Sequence, residues 1–124
     1  MKNIDVLIVE DDDYTARLYD KLLSTIKGCT LKIVSSGEEA LEALNINKFK
    51  IFILDINLGY NKLSGVDLSV EIRRMNPDAK IYVVTGFTYL FDTIDPSVAG
   101  INKVFKKPEA VLDIIDTIEK DLAI

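Results

Sequence analysis

The chain of 124 residues has a single cysteine, Cys29, so no disulfide can form within it; a reducing compartment, the cytoplasm, is the expected location and an inert thiol the expected state. No apolar run approaches the roughly 18 residues of a membrane span, and Met1-Lys2-Asn3-Ile4-Asp5 lacks the pattern of a signal peptide, so membrane insertion is not expected. Basic residues never cluster beyond Lys106-Lys107 or Arg73-Arg74, the net charge is -5 and the pI is near 4.7. Direct nucleic-acid binding, which relies on basic patches, is therefore not expected. There is no internal repeat, linker or low-complexity segment. The length suits one domain over residues 1–124, large enough to bury about two-thirds of its unfolded surface.

What the sequence does contain is a set of short apolar runs that stop abruptly. Val6-Leu7-Ile8-Val9 ends at Glu10-Asp11-Asp12-Asp13, Ile51-Phe52-Ile53-Leu54 at Asp55, and Ile81-Tyr82-Val83-Val84 at Thr85, while the weaker Val104-Phe105 leads into Lys106-Lys107-Pro108. Such β-rich runs predict strands of a parallel sheet buried on both faces. Carboxylates, a hydroxyl and an ammonium then meet at the carboxyl edge, where open α/β sheets bind ligands. That set is suited to holding a divalent cation against a phosphoryl group.

Helical periodicity fills the intervals. Tyr14, Leu18, Leu22 and Ile26 recur every four residues and Gly28 follows, predicting a first helix with a glycine stop. Asp12 and Asp13 before it are expected to cap it. Leu31 to Val34 reads as a second strand, and Ser36-Gly37-Glu38-Glu39 matches a capping box that opens a second helix. Leu68, Ile72 and Met75 mark a third helix ended by Asn76-Pro77. Val111, Ile114, Ile115, Ile118 and Leu122 form the stripe of a last helix behind Pro108. Between Thr85 and Gly100 a short or distorted fourth helix is expected, because Gly86 and Asp95-Pro96 interrupt it.

The spacing of the polar residues carries a resemblance. Asp11 precedes Asp55 by 44 residues, Asp55 precedes Thr85 by 30, and Thr85 precedes Lys107 by 22. With the pair Glu10-Asp11, Asn57 two residues after Asp55, and Lys107-Pro108, the whole chain resembles the receiver domain of two-component response regulators, the CheY-like family. The resemblance implies a doubly wound α/β fold, a flavodoxin-like three-layer sandwich whose five parallel strands run in the order 2-1-3-4-5. It implies that Asp55 is phosphorylated by a sensor histidine kinase or phosphotransfer protein, in a reaction dependent on Mg2+ held by Glu10, Asp11, Asp55 and the Asn57 carbonyl. Thr85 and Lys107 would then contact the phosphoryl group, and the switched domain would regulate a downstream protein or a fused output domain. Such a chain is a phosphoacceptor regulator, catalysing only its own phosphorylation and dephosphorylation. No output domain is expected within these residues.

Three departures accompany the match. The loop from Ile56 to Ser64 is about two residues longer than usual, and Glu109 replaces a common phenylalanine. Val104 stands where many receivers carry an aromatic ring that turns inward, and the neighbouring Phe105 is a possible substitute. Phe87, Tyr89 and Phe91 could form a partner-binding patch or cover the core. Two alternatives follow. One is a degenerate receiver serving as an unphosphorylated interaction module. The other is a haloacid-dehalogenase-like phosphatase, since Asp11-Asp12-Asp13-Tyr14-Thr15 matches that family's Asp-x-Asp-x-Thr, with Asp11 as nucleophile and Asp13 as acid/base. Against it, no further acidic pair follows Lys107 at a strand end.

Overall fold

The structure, a computed structural model, describes residues 2–55, 65–85, 100–106 and 110–123. In chain order its elements are β1 (Lys2–Glu10), α1 (Asp13–Leu23), β2 (Leu31–Val34), α2 (Gly37–Ile46), β3 (Asn47–Asp55), α3 (Gly65–Met75), β4 (Lys80–Thr85), β5 (Lys103–Lys106) and α4 (Ala110–Leu122). All neighbouring strands are parallel, in the order β2-β1-β3-β4-β5. This is the predicted doubly wound sheet. The segment expected to hold an irregular helix, 86–99, lies outside the described residues, as do the aromatic residues Phe87, Tyr89 and Phe91.

Side-chain alternation along the strands divides the core into two layers. Leu7, Val9, Phe52, Leu54, Ile81 and Val83 face one side, where Ala40, Ala43 and Leu44 of α2 and Leu68 and Ile72 of α3 cover them. Val6, Ile8, Ile51, Ile53, Tyr82, Val84 and Phe105 face the other, under Tyr19 and Leu23 of α1 and Ile114 and Ile118 of α4. Because both faces are buried, the strands needed continuous apolar runs rather than alternating ones.

Local chemistry sets the helix ends. Asp12 caps α1 as expected, its carboxylate accepting from Thr15 N–H at 2.9 Å and Thr15 Oγ1 at 2.7 Å, while Asp13 is the first helical residue. The helix stops at Leu23, five residues before Gly28. There the Ser24 and Thr25 hydroxyls donate to the carbonyls of Lys21 and Leu22, offering the chain an alternative to another helical turn. Gly28 instead serves the tight turn that follows, with φ of 78°. At α2 the Ser36 hydroxyl accepts from Glu39 N–H, but Glu39 reaches back to Ser35 N–H and Oγ rather than to Ser36 N–H, one residue beyond the expected box. α3 ends at Met75, before Asn76-Pro77, as the sequence indicates.

The phase of α1 differs from the expected stripe. Tyr14 is 77% exposed, whereas Tyr19 and Leu23 are fully buried. Leu18, Leu22 and Ile26 of the expected stripe are half-buried, and the inward face is centred on Tyr19 and Leu23, one residue round from Tyr14.

Cys29 is half-buried against the second layer, and burial together with the Asp5 carboxylate pushes its thiol up from the ordinary value. A higher pKa leaves less thiolate at mildly alkaline pH. Alkylation of the native protein by iodoacetamide is therefore expected to run several-fold slower than that of free cysteine, with the rate restored in urea. Equal native and unfolded rates, followed by mass spectrometry, would contradict this placement.

Candidate functional site

The carboxyl ends of the strands present their polar residues in sheet order. Glu10 is the last residue of β1 and Asp55 the last of β3, and the two are partners in register. Neighbouring strands lie about 4.8 Å apart, so two carboxylates begin side by side. Both are nearly fully buried, at 3% exposure each, while Asp11, the next residue after β1, is exposed. Thr85 closes β4, beside the strand that ends in Asp55, and pairs with Lys106 of β5. The side chains of Thr85 and Lys106 lie outside the described part of the structure, as do Asn57 and Lys107 entirely. The structure thus brings Glu10, Asp11, Asp55 and the Thr85 backbone to one edge.

Two donors organise the acids. Asp12 N–H donates to Glu10 Oε1 at 3.0 Å, tying that carboxylate to the start of α1. The Tyr19 hydroxyl donates to Asp55 Oδ2 at 2.9 Å within the buried interior. Asp55 follows Ile51 and Ile53 at period two, so it shares their side of the sheet, the side that α1 covers. Burial above all, then the charges and hydrogen bond of Asp55 and the charge of Glu10, push the Tyr19 phenol far above its ordinary pKa. The phenol keeps its proton and remains a donor.

Tyr19, the side chain that contacts Asp55, is one that sequence reasoning did not single out. A hydroxyl on an otherwise apolar helix face was the available signal, and drawing the stripe through Tyr14 hid it. Phe105 also differs from expectation. It is buried in the second layer, edge-on to Tyr82 at 5.7 Å and beneath Lys103, whereas Val104 packs against the opposite layer. Phe105 therefore cannot occupy the place that Val104 leaves without a ring. Tyr82 in turn donates to Asp121 of α4, anchoring that helix to β4.

Among the described residues no three His, Cys, Asp or Glu side chains converge as a closed metal cluster. The donor chemistry nevertheless fits a hard divalent cation. Two adjacent buried acids repel each other, and a cation using few protein oxygens and several waters relieves that repulsion.

A parallel sheet in this order with acids at its carboxyl edge defines a CheY-like receiver fold. Residues 6–119 match the response regulator receiver domain, and the chain belongs to that family. It is 29% identical over 117 residues to the response regulator receiver protein CpdR of Brucella abortus (strain 2308), covering 94% of this chain and 95% of that protein. It is 37% identical over 89 residues to the transcriptional regulatory protein MalR of Bacillus subtilis (strain 168), covering 70% of this chain but only 37% of MalR. Among solved structures, a CheY-like receiver domain protein from Methanospirillum hungatei JF-1 superposes with a TM-score of 0.81 at 24% identity, covering 98% of this chain and 94% of that one. The response regulator TrrA of Thermotoga maritima, solved in complex with Mg2+-BeF, superposes with a TM-score of 0.77 at 25% identity, covering 98% and 100%. Membership of this family removes the phosphatase alternative, and Asp13, its required acid/base, is an exposed residue of the α1 first turn.

Proposed function

We propose that the chain is a single receiver domain over residues 1–124 that takes a phosphoryl group onto Asp55 from a sensor histidine kinase or phosphotransfer protein in the cytoplasm, and so regulates a downstream protein or fused output domain. The observation that carries this reading is the register pairing of two buried acids, Glu10 and Asp55, at the carboxyl edge. Burying two adjacent carboxylates costs stability unless function requires it.

Asp55 supplies the nucleophile, since a carboxylate can form an acyl phosphate and divide the transfer into two steps. Asp11, exposed at the mouth of the site, Asp55 and the Asn57 carbonyl would hold Mg2+, with Glu10 supporting them. When bound, that ion neutralises charge on the transferring group. Lys107 would stabilise the phosphoryl oxygens electrostatically and the Thr85 hydroxyl would donate to one of them. The protein is in this reading a regulator rather than a turnover enzyme.

Label transfer from acetyl phosphate tests the proposal. Retained label supports a phosphoacceptor, whereas steady phosphate release without retained label contradicts it. Absence of both results favours the unphosphorylated interaction module, which the half-buried Val104, having no ring to rotate, makes the second reading.

Asp11→Ala is expected to weaken Mg2+ binding by at least about tenfold, because it removes a direct charged ligand from a site with few protein oxygens. The chain has no tryptophan, so calorimetry or NMR line shifts serve as the readout. Equal affinity in the two proteins would contradict the metal assignment.

A further inference from the structure

We infer that Tyr19 is a positioning residue for Asp55 and shortens the life of its phosphorylated form. The inference rests on Asp55 being the phosphoacceptor. Its basis is a single contact of unusual placement: a fully buried α1 tyrosine whose hydroxyl donates at 2.9 Å to Oδ2 of the carboxylate ending β3. The ring is buried in the same apolar layer as Ile8, Ile51, Ile53, Ile114 and Ile118, so α1 presents the phenol from within the core. An aliphatic side chain would fill that apolar space without offering a donor. What the hydroxyl adds is a fixed dipole aimed at the group that reacts.

A hydrogen bond to an ionised acceptor is roughly twice as strong as one to a neutral acceptor. Before reaction Asp55 is a carboxylate with its charge shared over both oxygens. During phosphorylation one Asp55 oxygen bonds to phosphorus, the bond from phosphorus to the donor's leaving atom breaks, and that atom departs with the electron pair. The aspartyl group is then a neutral acyl carbonyl, a poorer partner for the phenol. In hydrolysis a water oxygen bonds to phosphorus and the phosphorus–oxygen bond to Asp55 breaks. Its electron pair returns to the carboxylate, and the water's proton passes to phosphate or solvent. Negative charge grows on Asp55 in that transition state, and a preorganised donor stabilises it. Tyr19 thus favours the free carboxylate and hastens its return.

Tyr19→Phe retains the ring and removes only the donor. Wild type and variant are labelled with acetyl phosphate and Mg2+, the donor is removed, and loss of label is followed. Label should leave the variant about fivefold more slowly, while its rate of labelling rises. Such opposite changes are not produced by a packing defect, which circular dichroism and melting would register separately. Fluorotyrosine incorporated at position 19 keeps the fold and is a stronger donor, so it should shorten the lifetime. Equal or faster loss in Tyr19→Phe, or a lifetime unchanged by fluorotyrosine, overturns the inference. A wild type that takes no label at Asp55 overturns instead the phosphoacceptor reading on which it stands.

Discussion

Asp55→Asn is expected to take up no phosphoryl group from acetyl phosphate, to fold as the wild type does, and to melt at a higher temperature in metal-free buffer. An amide nitrogen is no substitute for the carboxylate nucleophile, so the loss should be complete to the limit of detection. The fold survives because Asn is nearly isosteric and its carbonyl can still accept from Tyr19. The gain in stability follows from the register pairing of Asp55 with Glu10, both nearly fully buried. Removing one of two adjacent buried charges relieves their repulsion, worth about 1 kcal/mol or roughly 4 °C in a domain of this size. Added Mg2+ should narrow the gap, because a ligand bound only by the native state stabilises the wild type more than the variant. Mass spectrometry of the labelled proteins and scanning calorimetry with and without Mg2+ provide the measurements. Label retained by Asp55→Asn would assign the nucleophile elsewhere, and a lower melting temperature would show that Asp55 contributes more to the fold than its repulsion with Glu10 removes.

The sheet was legible because burial on both faces leaves so plain a mark. Each central strand is a run such as Ile51-Phe52-Ile53-Leu54, and each run is closed by the polar residue that reaches the edge. The order of the strands was not contained in those runs. Nothing in an apolar strand specifies its neighbour, and the order came from the resemblance carried by Glu10, Asp11, Asp55, Thr85 and Lys107. Helix phase was harder, because Tyr14, Leu18 and Leu22 satisfy the same four-residue period as the residues that are in fact buried. Tertiary packing chose the face bearing Tyr19 and Leu23, turned from the other by one position, about 100°. In the candidate site, the meeting of Glu10 and Asp55 at one edge was legible because both stand at strand ends, whereas the Tyr19 contact was not, since it reaches the same place from a helix 36 residues away in sequence. Side chains that converge only through the fold leave no local spacing to read.

The fully buried α1 contact also explains how the two acids tolerate burial. Glu10 receives a backbone N–H from Asp12 and Asp55 receives the Tyr19 hydroxyl, so both supports come from one segment, the start and middle of α1. Hydrogen bonds to the ionised form offset part of its desolvation. The helix is held in turn by Tyr19 and Leu23 against Ile114 and Ile118 of α4.

Gly100→Ala should be among the most destabilising single-methyl changes available to the described chain, at about 2–5 kcal/mol. Gly100 has φ of 80°, a left-handed conformation costing any other residue about 1–2 kcal/mol. A Cβ there would lie 2.8 Å from both Cβ and Cγ of Arg73, and such crowding adds about 1–3 kcal/mol. Arg73 has little room to withdraw. Its guanidinium donates to the carbonyls of Gly100, Pro77 and Ala79, and to Asn102 Oδ1, which itself accepts from Ile81 N–H at 2.7 Å. This fork ties α3 to the turns that open β4 and β5, and β5 is the strand that places Lys106 beside Thr85. Arg73→Ala should itself cost about 3–5 kcal/mol by stranding part-buried carbonyls, a large share of the roughly 5–15 kcal/mol that holds a domain together. The two changes should not add. Arg73→Ala keeps the Cβ but removes Cγ and Nε, so the added methyl is less crowded and Gly100→Ala should then cost about 1 kcal/mol less. Urea unfolding of the four proteins in the cycle measures the difference, and equal costs for Gly100→Ala in both backgrounds would show that Arg73 beyond its Cβ adds nothing to the crowding.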